Sequence, residues 1–151
     1  MQKKAKSKRG FTLIEILVVI GLIAILATIV LIAINPARQF AQARNTQRTS
    51  DVNTILNAIG QYTADNKGTM PAAITTSDLD IEGTGGADLC PLLMPTYVSS
   101  FPVDPSVAGG AITTCNSTYD TKYHVVKDAT TGRITVTAPT AEIGATISVS
   151  R

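Results

Sequence analysis

A single carboxylate interrupts an apolar stretch near the start of the chain: Glu15 stands four positions into the run that opens at Phe11. An ionised acid deep in a bilayer costs a few kcal/mol even on permissive insertion scales, so such groups are usually functional or paired. Taken alone, Glu15 is compatible with two states: a side chain reaching headgroup water at the interface, or a carboxylate that needs a cation. Other candidates for chemistry are sparse. His124, the single histidine, has no evident nucleophile beside it and reads as a surface or packing residue of a strand. No G-x-S-x-G motif, zinc pattern or clustered acid and base set is visible, so the reading is of a non-enzyme with no catalytic residues. Two cysteines and one histidine are too few for a common four-ligand zinc site, and neither metal nor cofactor is expected. Asp104 has the chemistry to ligate calcium alongside other oxygens, but without a dense acidic loop a turn role is favoured. Asn116-Ser117-Thr118 matches an N-glycosylation sequon, a short motif on its own.

The element that must position Glu15 is a helix. Residues 16–34 carry no charge, and nineteen helical residues span about 28 Å at 1.5 Å per residue, matching a hydrocarbon core of roughly 30 Å. A 151-residue chain has room for one domain and could hardly surround so long an all-round apolar helix, so a membrane is the expected environment. Lys3, Lys4, Lys6, Lys8 and Arg9 precede the run. Without them 8 basic residues face 11 acidic ones, a formal −3 over residues 11–151, which removes nucleic acid as the obvious partner. The charge bias instead favours a cytoplasmic N-terminus and a head outside the membrane. A secretory signal peptide shares the basic start, but its cut follows the apolar stretch at small residues, and no convincing A-x-A site precedes Asn35-Pro36. The anchor is expected to be kept.

The segment Arg9-Gly10-Phe11-Thr12-Leu13-Ile14-Glu15, with a short basic leader before it and the apolar run after it, closely resembles the processing motif of type IV prepilins and type II secretion pseudopilins, with a leader of the class III type. The resemblance implies a membrane-embedded prepilin peptidase and methyltransferase that cuts between Gly10 and Phe11 and N-methylates Phe11. It also implies that Glu15 is the assembly carboxylate. Independent chemistry fits these choices. Gly10 lets an extended backbone enter a narrow cleft, and cleavage creates an amine with a reference pKa near 8. Burying that cation beside an ionised carboxylate lowers the cost of both charges. The pair can form within one helix, between its first and fifth residues, or between staggered subunits; the resemblance favours the second.

Beyond the anchor, Asn35-Pro36 predicts a kink or a melted turn, since proline lacks a donor and disfavours helix in the residue before it. Residues 28–34, rich in β-branched side chains, are the place where such a family would lose helix on assembly. Val52, Ile55, Leu56, Ile59 and Tyr62 then recur at helical spacing, with a stop at Lys67-Gly68. Arg44, Arg48 and Asp51 are read as the opposite, solvated face, with pairing within the helix or between subunits as the alternative. The stretch from Tyr62 to Pro71 resembles the helix end of many pilin-like proteins, and Phe101-Pro102-Val103-Asp104-Pro105 resembles a turn of that family. Residues 71–118 read mainly as loop, with a short helix around residues 92–97, and Cys90 with Cys115 is expected to close this loop as a disulfide outside the cytoplasm. Two free thiols are the alternative in an organism that does not oxidise its envelope proteins. Residues 123–127 and 134–138 read as a hairpin turning at Thr131-Gly132, and residues 145–149 as a third strand.

The expected fold is α+β: a long N-terminal helix, membrane-spanning then amphipathic, on a small antiparallel sheet. The expected organisation is a leader over 1–10, cleaved, a transmembrane and filament-core helix over 11–35, an amphipathic helix over 36–67, and a head over 68–151. The function expected is that of a structural subunit of a type IV pilus-like filament. A pseudopilin of a secretion or DNA-uptake pseudopilus is the first alternative, and a single-pass anchored binding protein that never polymerises is the second. Membrane lipid, other pilin subunits, the prepilin peptidase and an assembly platform are the partners this reading calls for.

Overall fold

The computed structural model describes residues 10–151; the basic leader at residues 1–9 lies outside the described residues. Among the described residues the chain divides after Gln39 into two compact units. Helix α1 runs Leu13–Ile34 and α2 runs Pro36–Asp65. The break between them has a local cause. Pro36 supplies no N–H, and Asn35 before it adopts a left-handed conformation with φ 48°, which asparagine tolerates better than most residues. Asn35 then starts the next helix, its carbonyl accepting from the Arg38 N–H at 3.1 Å. The helix of α1 persists to the end of the β-branched stretch, and the interruption is confined to one residue.

Helix α2 ends where Lys67 and Gly68 take positive φ, with the Gly68 N–H donating to the Thr63 carbonyl at 2.8 Å. Its buried side holds Ala41, Arg48, Asp51, Val52, Ile55, Leu56, Ala58 and Ile59. This corrects the expectation of a solvated charged face. Arg48 and Asp51 are one helical turn before Val52 and Ile55, so they share the stripe that packs inward.

The sheet is antiparallel with four strands in sequence order: β1 Leu79–Glu82, β2 Asp120–Lys127, β3 Ile134–Ala138 and β4 Ile147–Ser150. The architecture is thus α+β: an apolar N-terminal helix, a second helix and the sheet. The third strand expected at 145–149 begins two residues later, after Ile143 and Gly144 turn through positive φ. Strand β1 was not expected, since 71–118 reads as loop. It is short, and its pairing with β2 puts Leu79 opposite Val125 across more than forty residues of sequence. Alternation along β2 and β3 turns Thr121, Tyr123, Val125, Ile134, Val136 and Ala138 inward. These side chains, with Ile81, Leu89, Leu93 and Phe101, share one apolar core with Val52, Ile55 and Ile59 of α2.

The outer edge of β1 is covered by its own chain: the Ala87 N–H donates to the Asp80 carbonyl at 2.8 Å. A Cβ on Gly86 would lie 2.1 Å from that carbonyl oxygen, so only glycine permits this approach. The short helix α3 is Cys90–Leu93, earlier than the 92–97 expected. The Tyr119 hydroxyl stabilises its start, accepting from the Leu89 and Cys90 N–H groups at 3.1 and 3.2 Å while donating to Asp88 at 2.8 Å.

Candidate functional site

Among the described residues nothing lies within 4 Å of where a Cβ on Gly10 would stand, and Phe11 is 84% exposed. Thr12 is the N-cap of α1 in an extended conformation. Its hydroxyl accepts from the Glu15 N–H at 3.3 Å, and the Glu15 carboxylate reaches back to accept from the Thr12 N–H and hydroxyl, both at 2.8 Å. This is a capping box: two donors that a helix start would leave bare are satisfied reciprocally. The carboxylate that the sequence singles out is therefore partnered, but by neutral donors only among the described residues.

Behind this cap, residues Leu13–Ala33 form a helix long and apolar enough to cross a membrane. The one hydroxyl in its second half, on Thr28, donates to the Ala24 carbonyl at 2.9 Å and so carries no unmet hydrogen bond into an apolar environment. The arrangement is consistent with single-pass membrane anchoring.

The head holds a second polar constellation that sequence reasoning missed. Arg48 projects into the protein and forks onto Asp104, Nε to Oδ2 at 2.7 Å and Nη2 to Oδ1 at 3.0 Å. Its Nη1 donates to Glu142 at 2.8 Å and to the Asn45 Oδ1 at 3.0 Å. Arg44 forks onto the same Glu142 at 2.7 and 2.6 Å, and Asn45 exchanges hydrogen bonds with the Glu142 backbone. Asp104 also accepts from the Ser106 N–H and hydroxyl and from the Thr140 hydroxyl. The expected turn at Asp104 is present, and the same carboxylate serves as the counter-ion of Arg48. One turn along α2, Asp51 accepts from the Tyr123 hydroxyl at 2.8 Å and from Gln47 at 2.7 Å.

Electrostatics follow from these contacts. Burial on its own would raise the Asp104 carboxyl, but hydrogen bonds from Arg48, Ser106 and Thr140 hold it well below the usual carboxylate range. Glu142 is held down to about 2 by hydrogen bonds from Arg44 and Arg48. Burial pushes the Asp51 carboxyl up, despite the hydrogen bonds from Tyr123 and Gln47. The clue in the sequence was the spacing: steps of four residues back from Ile55 and Val52 land on Asp51 and Arg48.

Cys90 and Cys115 are joined as a disulfide with Cα atoms 5.7 Å apart. His124 lies part-exposed between Asp78 and Asp80, 3.1 Å from one and 2.8 Å from the other. Among the described residues no three His, Cys, Asp or Glu side chains are placed to hold a metal ion together.

Residues 5–31 match the family model of the prokaryotic N-terminal methylation motif, the class III leader of type IV pilins and pseudopilins. The match takes in residues 5–10 before the Gly10-Phe11 junction, Glu15 and most of α1, and it supports a pilin-like or pseudopilin precursor. No curated protein and no solved structure matches the chain.

Proposed function

We propose that the chain is the precursor of a structural subunit of a type IV pilus-like filament, cut after Gly10, N-methylated at Phe11 and polymerised through α1. The observation that carries this reading is the placement of Glu15: a carboxylate held by neutral donors at the start of a helix that carries no other charge, inside a methylation motif. Cleavage of Gly10 from Phe11 creates a cation four residues from it. An ion pair between the amine of one subunit and the Glu15 carboxylate of the next gives that carboxylate a cationic partner in place of neutral donors as the helix leaves lipid. Gly10 and Phe11 offer the peptidase an uncrowded backbone. The partners are the prepilin peptidase and methyltransferase, further pilin subunits, and an assembly platform that draws the helix out of the membrane. The precursor sits in the cytoplasmic membrane with its N-terminus inside and its head outside, and then in an extracellular or periplasmic filament.

N-terminal mass spectrometry of the protein from its native membrane or sheared surface fraction tests the reading. The expected mature chain begins at methylated Phe11. A chain that still begins at Met1 overturns it.

A further inference from the structure

The sequon Asn116-Ser117-Thr118 plays no part in the anchor, the core or the polar constellation, yet the head presents it in a specific way. All three residues are exposed, in the turn between Cys115 and β2. The Asn116 Oδ1 accepts twice from Thr118, from its N–H at 3.0 Å and from its hydroxyl at 3.1 Å. Among the described residues the Asn116 Nδ2 donates to nothing. The turn is held from beneath by backbone: a Cβ on Gly83 would lie 2.6 Å from the Asn116 carbonyl oxygen, and the Thr84 hydroxyl donates to the Ser117 carbonyl at 2.7 Å. On its two flanks are the Cys90–Cys115 disulfide and the buried Tyr119. A side chain with its oxygen engaged and its nitrogen free is thus held outward on a braced turn.

From this geometry we infer that Asn116 is an N-glycosylation site, modified at Nδ2 by a transferase that uses a polyprenyl-diphosphate-linked oligosaccharide. A carboxamide nitrogen is a poor nucleophile because its lone pair is delocalised onto oxygen. Two hydrogen bonds to Oδ1 fix the plane of the amide and draw charge to the oxygen, which makes the Nδ2 protons easier to remove. In the transfer the Nδ2–C1 bond forms and the C1–O bond to the diphosphate breaks. One Nδ2 proton passes to a base of the transferase, and the lipid diphosphate departs with the electron pair. No oxidant or reductant is needed. The Thr118 hydroxyl is the positioning group, which gives a physical role to the third residue of the motif. The inference rests on the proposed topology, since the lipid-linked donor is used on the side of the membrane where the head would lie.

The test is peptide mass spectrometry of residues 116–118 in the full chain from its native membrane or filament fraction, with the oxidation state of Cys90 and Cys115 read in the same sample. The expected result is an oligosaccharide on Asn116, released by a peptide N-glycosidase that leaves Asp in its place. Asn116→Gln and Thr118→Val abolish the modification, Thr118→Ser keeps it and Ser117→Ala leaves it unchanged, all with the disulfide formed as a check on folding. An unmodified Asn116 in wild-type chain whose disulfide is oxidised overturns the inference and leaves the topology standing. An unmodified Asn116 in a chain whose head resists protease added outside intact cells overturns the topology and the inference with it. Sugar found on Ser117 or Thr118 instead of Asn116 also overturns it.

Discussion

Arg48 on α2 and Asp104 in the loop before β2 meet as a two-pronged ion pair, with N–O distances of 2.7 and 3.0 Å and both side chains at most 1% exposed. Fifty-six residues of sequence separate them. A buried pair of this kind contributes little net stability relative to apolar residues of the same volume, because desolvation offsets the attraction. Removing one partner is another matter, since it strands the other charge without solvent.

Arg48→Ala is therefore expected to destabilise the head by about 3–5 kcal/mol. Arg44→Ala removes a partly exposed partner of the same Glu142 and should shift the unfolding midpoint far less. Chemical denaturation of the full chain in detergent, followed by near-ultraviolet circular dichroism, makes the comparison. Equal shifts for the two arginines would contradict the buried role.

Acid should unfold the head through the same carboxylates. Asp104 and Glu142 have folded pKa values below their unfolded ones, the latter at about 2, so their stabilisation is complete above the unfolded values near 4 and is lost as pH falls toward 2. Asp51 has the opposite sign. Its raised pKa means that the folded state binds the proton more tightly, which stabilises the fold as pH falls through that raised value. A titration of the denaturation midpoint in wild type and Asp51→Asn separates the two: the variant is expected to lose stability on acidification more steeply than wild type. A midpoint flat from pH 6 to pH 2 contradicts the assignment.

Opening the Cys90–Cys115 bridge frees a loop with a sequence separation of 25, worth about 3 kcal/mol in restriction of the unfolded chain. The double variant Cys90→Ser with Cys115→Ser is expected to unfold at lower denaturant by that amount while β2–β4, whose ladder lies outside the loop, keeps its amide protection. Hydrogen exchange reads both at once, and early loss of protection across the whole sheet would show that the bridge does more than close a loop.

At the anchor, Thr12 and Glu15 separate capping from assembly. Thr12→Val removes the hydroxyl that bonds Glu15 but leaves the charge, whereas Glu15→Gln leaves a side chain of similar reach without the charge. Filaments counted by electron microscopy should survive the first change and disappear with the second. Normal filaments with Glu15→Gln would remove the proposed assembly role; loss with both would show that the Thr12 cap is required in addition to the charge.

The parts legible beforehand share a property: their signal lies in contiguous residues. The apolar run of α1, the Pro36 break, the stop at Lys67-Gly68 and strands β2 and β3 are each announced by their own composition. Strand β1 was missed because four residues, Leu79–Glu82, offer only two apolar positions, and most of what makes them a strand comes from pairing with β2 and from the Gly86 turn that seals their edge. Arg48 and Asp51 were assigned to solvent because charge outweighed position in the helical repeat. The period alone would have placed them inward, but a buried charge is tolerable only with a partner, and the partners are far away in sequence.

By itself the sequence determined the apolar helix α1, the methylation motif that runs across Gly10-Phe11 and the carboxylate at Glu15 that caps the helix, because the physics of an apolar helix and its cap is local: charge, apolarity and a reach of three or four residues. Tertiary structure alone decided that Arg48 lies inside, that Asp104 and Glu142 receive it, that Tyr123 receives Asp51 and that Gly83 braces the turn at Asn116. Each of those relations joins groups more than thirty residues apart. Their favourable energy exists only once the core has brought the elements together and withdrawn the charges from water, and no window of neighbouring residues contains that condition.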